Sequence, residues 1–396
     1  MDAPRNKFAA SPPRFDPRSG DRTWGASSPE ETGMDPAPLL CADEIIRARY
    51  PKLRCFLVAK DARLVFERYY GGADAATAHD LRSATKSVTA AVAACAGLFG
   101  GGDPREGGPS GSGPVEIVPE NSDPDDGGPG EGQLGEGAYT SSDVDAARRT
   151  KAPTLGELFA DRLPRAASDA LRETTTLQLL AMTSGLHWQT GQRLGERFVP
   201  RLHRSRDWVR FALRLPVDPQ TRGKFVYRSV DSHLLSAAVA VRTGRPAAEL
   251  AQEALFGPLG IAPPHWEADP QGVTAGHVGL ALTGRDLAKL GWLHAAGGLW
   301  EGRRLLPAAY VRLALTPNGD GLPAFGCYGG HWWIARAGAG ETVRCALGHG
   351  GQLVFVSPER RLVAVFAADP KVSRWKHPIA LYEQYVLAAD GPPPPP

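Results

Sequence analysis

A hydroxyl and an amine stand three residues apart in Leu81-Arg82-Ser83-Ala84-Thr85-Lys86-Ser87-Val88. Three residues is close to one helical turn, and the helix-compatible run Val88 to Leu98 follows, so Ser83 and Lys86 would share a face. At the start of that helix, backbone N–H groups and the positive dipole end would lie beside the serine oxygen. A serine hydroxyl is a weak nucleophile until a base takes its proton, and a lysine that loses its charge on burial can be that base. The pattern arises by chance in a chain this long, and Ser373-Arg374-Trp375-Lys376 also fits it. There, however, His377-Pro378 follows at once and opposes a helix. The surroundings must decide between the two copies.

The elements that would position such a pair need a sizeable core, and a 396-residue chain that is 42% hydrophobic can build one. A formal net charge of +2 gives no reason to expect nucleic acid or a membrane as partner. The arginines around Arg148-Arg149 and at Arg201, Arg204 and Arg206 read as solvated surface. Cys41, Cys55, Cys95, Cys327 and Cys345 are odd in number and far apart, which fits neither a disulfide framework nor a metal-binding pair. His277, His294, His331 and His349 lack ligand spacing, so no metal is expected. The first residues, Met1 to Arg22, are polar and have no apolar core of a signal peptide. The longest apolar stretch, Leu234 to Val241, is too short to span a bilayer. A cytoplasmic protein is the expectation.

Along the chain, residues 1–30 read as a disordered tail. Phe56 to Tyr69 suggests two β-runs around an Asp-containing turn, a hairpin signal. Residues 100–150 are dominated by Gly, Pro, Ser, Asp and Glu, and are expected to be a disordered insertion within a domain spanning 31–390. Thr174 to Leu186 predicts a capped apolar helix ended by Gly185, with further helices at 206–215, 231–243, 246–255 and 284–296. The last third turns β-rich, with short candidates at 329–334 and 344–346, and strands at 353–356 and 362–367 around Ser357-Pro358-Glu359-Arg360. Residues 391–396 form a proline tail. Strands near both ends with helices between them suggest a sheet built from both termini and a helical region inserted in it.

These segments resemble the penicillin-recognising serine hydrolases, in particular the class C β-lactamase-like branch with its carboxylesterases and 6-aminohexanoate-dimer hydrolases. The resemblance runs over about residues 50–385, and its markers keep the family's order. Arg82-Ser83-Ala84-Thr85-Lys86-Ser87 is similar to the first catalytic motif, and Leu179 to Leu186 looks like the stretch that follows it. Phe225-Val226-Tyr227-Arg228-Ser229 sits where the family has Tyr-x-Asn or Tyr-x-Ser. Pro258-Leu259-Gly260 and Arg285 to Gly291 are similar to structural landmarks, and Gly348-His349-Gly350-Gly351-Gln352 stands where other members carry Lys-Thr-Gly. The resemblance implies an α+β fold of the β-lactamase/transpeptidase type: an antiparallel sheet flanked by helices, an all-helical subdomain, and the site between them. It also selects Ser83 over Ser373.

Carried over residue by residue, the resemblance implies that Ser83 attacks a small-molecule ester or amide carbonyl, Lys86 takes its proton, and Tyr227 exchanges protons with nucleophile and leaving group. It assigns the oxyanion donors to the backbones of Ser83 and Gln352, with Gly350 and Gly351 allowing a strand edge close to substrate. No cofactor is implied. Two positions depart from the pattern. His349 replaces a lysine and removes its fixed positive charge, and Ser229 offers one hydroxyl where Asn would both donate and accept. Both departures favour esters and linear amides over β-lactams or D-Ala-D-Ala peptides, which form the second reading. A non-catalytic ligand-binding module is the alternative of another class. Asp231 and His233 lie near the tyrosine motif, but a Ser-His-Asp triad has no support from order. His187-Trp188, Trp266 and Trp332-Trp333 are candidates for an apolar substrate wall or for core packing.

Overall fold

β-Branched and aromatic runs from the two ends of the chain form a single sheet in the computed structural model, which describes residues 24–99, 151–336, 341–371 and 378–392. The expected insertion at 100–150, the Ser373–Lys376 pattern and the last prolines lie outside the described residues, as does the expected tail up to residue 23. Residues 24–30 of that expected tail belong to the fold instead. Trp24 is buried against Trp300, and Ala26 bridges to Leu64.

Strands β1 (Leu53–Lys60) and β2 (Arg63–Tyr69) form the expected hairpin. Its two turn residues, Asp61 and Ala62, both have positive φ, the conformation that matches the twist of paired strands. Six later strands complete the sheet: β3 (Gly321–Leu322), β4 (Gly326–Tyr328), β5 (Trp333–Arg336), β6 (Thr342–Gly348), β7 (Gln352–Ser357) and β8 (Leu362–Ala368). The order is β2-β1-β8-β7-β6-β5-β4-β3, and every neighbouring pair is antiparallel. The pairing of Phe56 with Phe366 thus joins the chain's two ends.

Period-two alternation splits each central strand between two cores. Cys55, Leu57, Val354, Val363 and Val365 face one core, while Phe56, Val58, Phe355, Ala364 and Phe366 face the other. All seven residues of β8 are buried, which is why its sequence reads as an unbroken apolar run. On the second face lies α1 (Pro36–Arg49), capped by Asp35 and burying Leu39, Ala42 and Ile46. Tyr382, from the C-terminal helical segment, stacks there on Phe355 with ring centroids 4.2 Å apart.

The first face carries the helices: α2 (Thr85–Cys95), α3 (Thr176–Leu180), α4 (Val199–Arg204), α5 (Trp208–Ala212), α6 (Ser229–Thr243) and α7 (Gly284–Ala295). A Cβ at Gly291 of α7 would come within 2.7 Å of Val363 and 2.8 Å of Val354, so only glycine lets this helix lie so close to the sheet. α2 is buried from Thr85 to Ala94, as its small and apolar residues allow.

Several expected elements are shorter or displaced. The helix expected to be ended by Gly185 stops already at Leu180, and Met182 just beyond takes a positive φ of 58°. The helix expected over 206–215 spans only 208–212, starting from an Asp207 cap. That expected over 246–255 is regular over Ala247–Ala251 and then widens into a π-turn at Gln252–Phe256. The strand expected at 329–334 starts at Trp333, since Gly329 and Gly330 turn and His331 has a φ of 64°.

Candidate active site

Ser83 is positioned by a tightly tied turn. The segment Ala78–Asp80 pairs with Ala281–Thr283, and Leu81 N donates to Leu280 O at 2.9 Å. Arg82 then adopts a φ of 50°, sparsely populated for a residue with a side chain. Asp80 holds it there, accepting from Arg82 N at 2.9 Å and pairing with its Nε at 3.1 Å. Ser83 follows in a single 3₁₀ turn, Arg82–Ala84, and α2 begins two residues later. Lys86 therefore faces Ser83 across one turn, with Nζ 3.1 Å from Ser83 Oγ and 3.2 Å from the His277 carbonyl oxygen. Lys86 is only 1% exposed, and burial pushes its amine down to about 8, with the Glu196 carboxylate acting in the opposite direction.

Tyr227 arrives from the chain leading into α6. Lys86 Nζ lies 4.9 Å from the centroid of its ring. Burial pushes the buried phenol above its ordinary range, Glu196 adds to the rise, and hydrogen bonding by Ser83 opposes it. The ring stacks on Trp333 and meets Tyr328 edge-on, with centroids 5.8 Å and 6.0 Å away. Fully buried Arg228 locks the adjoining backbone. Its guanidinium donates to the carbonyls of Leu186, Met182 and Val226 at 2.8, 2.9 and 3.1 Å, and to Thr221 Oγ1 at 3.2 Å. The turn at Met182 thus presents its own carbonyl to this guanidinium.

The hairpin between β6 and β7 closes on the Ser83 turn. A Cβ on Gly348 would lie 2.1 Å from the Leu81 carbonyl oxygen and 3.2 Å from Ala84 N. Gly350 and Gly351 have φ of 89° and 104°, and a Cβ on Gly350 would lie 2.8 Å from Pro370 Cα. His349 is exposed at the tip. The Gln352 side chain points into the sheet, where its amide donates to Ala368 O at 2.6 Å and accepts from Ala368 N at 3.2 Å. Its side chain is thereby occupied within the sheet.

Ser229 is 2% exposed and bonded to a residue absent from the sequence expectations. Glu196 Oε2 accepts from Ser229 Oγ at 2.6 Å, while Oε1 accepts from Ser229 N and from Trp188 Nε1, each at 2.7 Å. The carboxylate thereby caps the N-terminus of α6, which has no side-chain cap of its own. The sequence signal for Glu196 is faint: one acid in a loop, opposite a motif that lacks its amide.

His331 is the second residue that sequence reasoning missed. Its Nδ1 donates to Leu180 O at 2.8 Å, Nε2 accepts from Ser232 Oγ at 2.9 Å, and its carbonyl accepts from Ser87 Oγ at 2.6 Å. Ring and carbonyl of this one buried residue thus tie α3, α6 and α2 together. Burial, followed by the Lys86 charge, holds this imidazole down to about 3, hence neutral.

Asp231 and His233 make their contacts away from Ser83. Asp231 accepts from Ser184 Oγ at 2.8 Å, and His233 Nε2 pairs with Asp269 at 3.5 Å. Trp188, Trp332 and Trp333 are buried supports, Trp266 donates to Ala275 O at 2.9 Å, and His187 is exposed. Among the described residues, no group of His, Cys, Asp and Glu is arranged to hold a metal ion, and no helix is long and apolar enough to cross a membrane.

A sequence profile described as Beta-lactamase matches residues 55–380, a span holding all three clustered side chains. The chain belongs to the β-lactamase family. Its fold recurs in solved structures. A candidate 6-aminohexanoate-dimer hydrolase from Bacillus anthracis is 18% identical with a TM-score of 0.55, the match covering 88% of this chain and 81% of that one. A penicillin-binding protein homologue from Caulobacter crescentus is 15% identical with a TM-score of 0.58, covering 91% of this chain and 99% of that one. FmtA from Staphylococcus aureus is 11% identical with a TM-score of 0.56, covering 94% of this chain and 93% of that one. At these identities the likeness shows the β-lactamase/transpeptidase-like α+β fold alone. No curated protein matches.

Proposed function

We propose that this β-lactamase-family protein is a serine hydrolase working through an acyl-enzyme on carboxylic esters or linear amides, within the branch that holds carboxylesterases and 6-aminohexanoate-dimer hydrolases. The supporting observation is the 3.1 Å approach of a buried Lys86 amine to Ser83 Oγ, with the Tyr227 ring beside it.

The geometry divides the chemistry. Neutral Lys86 accepts the Ser83 proton as Oγ bonds to the substrate carbonyl carbon. The resulting oxyanion is met by the backbone N–H groups of Ser83 and Gln352, each donor of this kind being worth about 3 kcal/mol. Tyr227, held protonated by burial, gives its proton to the departing alcohol or amine and is reprotonated from Lys86. Water then attacks the acyl-Ser83 carbonyl, passing its proton back through the same pair, and Ser83 is restored.

Genuine β-lactam or D-Ala-D-Ala turnover is the second reading. It is disfavoured because Ser229 is spent on Glu196 and no lysine stands at position 349. The test is a burst assay with p-nitrophenyl esters beside nitrocefin, on the parent protein and on Ser83→Ala. Ester turnover lost in Ser83→Ala supports the proposal. Turnover of nitrocefin alone selects the second reading, and no turnover or labelling of any kind selects a ligand-binding module.

A further inference from the structure

We infer that an arginine-lined groove beside α5 is a docking surface for an acidic stretch of the same chain, residues 106–145, through carboxylate–guanidinium pairs. None of the residues used in the Ser83 chemistry lines this groove, so the inference stands apart from the serine-hydrolase reading.

Two adjoining cavities, of about 560 and 550 Å³, share Asp207, Arg210 and Arg214. Their walls carry five guanidinium groups, from Arg162, Arg165, Arg206, Arg210 and Arg214, against two carboxylates, Asp161 and Asp207. Asp207 is already committed. Arg162 donates to both of its oxygens at 3.1 Å, and Oδ1 also caps α5 by accepting from Arg210 N at 2.8 Å. Arg165, Arg206, Arg210 and Arg214 are exposed, and among the described residues no carboxylate pairs with any of them. Like charges gathered without a counter-charge repel one another, and a bound anion relieves that repulsion. Every cation here is an arginine, whose planar fork matches a carboxylate with two parallel hydrogen bonds.

The chain carries the matching counter-charge. Residues 106–145 hold ten Asp and Glu residues and no Lys, Arg or His. Since the whole chain has a formal net charge of +2, the remainder carries +12. This acidic stretch lies outside the described residues, but the chain re-enters them next to the groove. Lys151 pairs with Glu157 at 3.7 Å, on the one-turn helix Leu155–Leu158. Arg162 N then donates to Phe159 O at 2.9 Å, where the chain leaves that helix and becomes the groove wall. The six-residue step from Asp145 to Lys151 reaches about 20 Å when extended, and acids farther back reach farther. A single exposed ion pair is weak, but several on one tether act together at high local concentration.

The test is cleavage of the full-length protein by a glutamate-specific protease at Glu116, Glu120, Glu131 and Glu136, followed by mass spectrometry. The parent is compared with Arg210→Gln/Arg214→Gln and with Arg47→Gln/Arg49→Gln, which removes the same charge from α1 on the other face of the sheet. At about 20 mM salt the groove variant should be cut about ten-fold faster than the parent, and the α1 variant within about two-fold of it. At about 0.5 M salt the three rates should converge, because exposed pairs are then screened. Phenylglyoxal modification gives a readout with the groove intact. Substituting all ten acids with their amides should speed modification of Arg165, Arg206, Arg210 and Arg214 about five-fold. Both forms of protection should be independent of protein concentration. Equal cleavage of parent and groove variant, equal acceleration in both arginine variants, or arginine reactivity unmoved by the amides overturns the inference. Protection that appears only as protein concentration rises assigns the groove to a second copy and also overturns it.

Discussion

Trp333 lies against Tyr227 with ring planes 22° from parallel and centroids 5.8 Å apart, so a sheet residue aims a side chain borne on the helical side. Phe225 and Tyr328 brace the tryptophan edge-on, with centroids 5.9 Å and 4.8 Å from it. Trp333→Ala should cost about 3–5 kcal/mol of stability. It should also lower kcat for an ester substrate by about 10- to 100-fold through misplacement of the phenol. Trp333→Phe should recover most of both. Urea unfolding and steady-state kinetics on the two variants check this.

In the proposed mechanism Lys86 sets the pH dependence. Its amine, held at about 8 by burial, is charged below that value and unable to take a proton from Ser83. Hydrolysis should rise with pH through about 8 and level off above it, and Lys86→Met should lose about 10²- to 10⁴-fold with no such inflection. Stability follows the same group. The folded value lies below the ordinary 10.5, so the unfolded chain binds the extra proton between the two. Relative to Lys86→Met, the parent should gain stability as pH rises from about 8 to 10.5, seen as a rising midpoint in urea titrations.

Arg228 offers a separate handle on the tyrosine segment. Its fork serves three carbonyls and one hydroxyl from inside the protein, a pattern a lysine cannot reproduce. Arg228→Lys should lower stability by about 2–4 kcal/mol, checked by thermal and urea unfolding.

Gly348 tests how closely the β6–β7 hairpin must approach the Ser83 turn. Gly348→Ala puts a methyl where the Leu81 oxygen lies and must push the hairpin outward. The fold should persist with a lowered melting temperature, while kcat/KM falls by about 100-fold as the proposed Gln352 donor retreats from the oxyanion position. Circular dichroism and ester kinetics on one preparation separate the two effects.

The parts readable from the sequence were those that adjoin along the chain. Ser83 and Lys86 meet because three residues make a turn, and β1–β2 pair because two residues with positive φ join them. Tyr227 could be placed only by the order of motifs, since nothing in Phe225 to Ser229 reveals that Trp333, more than a hundred residues on, supports its ring. Glu196 and His331 were hidden for the same reason. Each acts through contacts between segments distant in sequence, and each looks locally like an ordinary loop residue. Met182 and His331 also end or delay regular elements by taking positive φ. Apolar periodicity does not encode that choice; the hydrogen bonds to Arg228 and Ser87 do.

The central claim is that Ser83 is the activated nucleophile. Intact-mass and peptide mapping after exposure to a fluorophosphonate probe test it most directly, on the parent protein, Ser83→Ala and Ser373→Ala. A single adduct on Ser83, present in the parent and Ser373→Ala and missing from Ser83→Ala, is the predicted result. An adduct that survives in Ser83→Ala, or a parent protein that is never labelled, would contradict it.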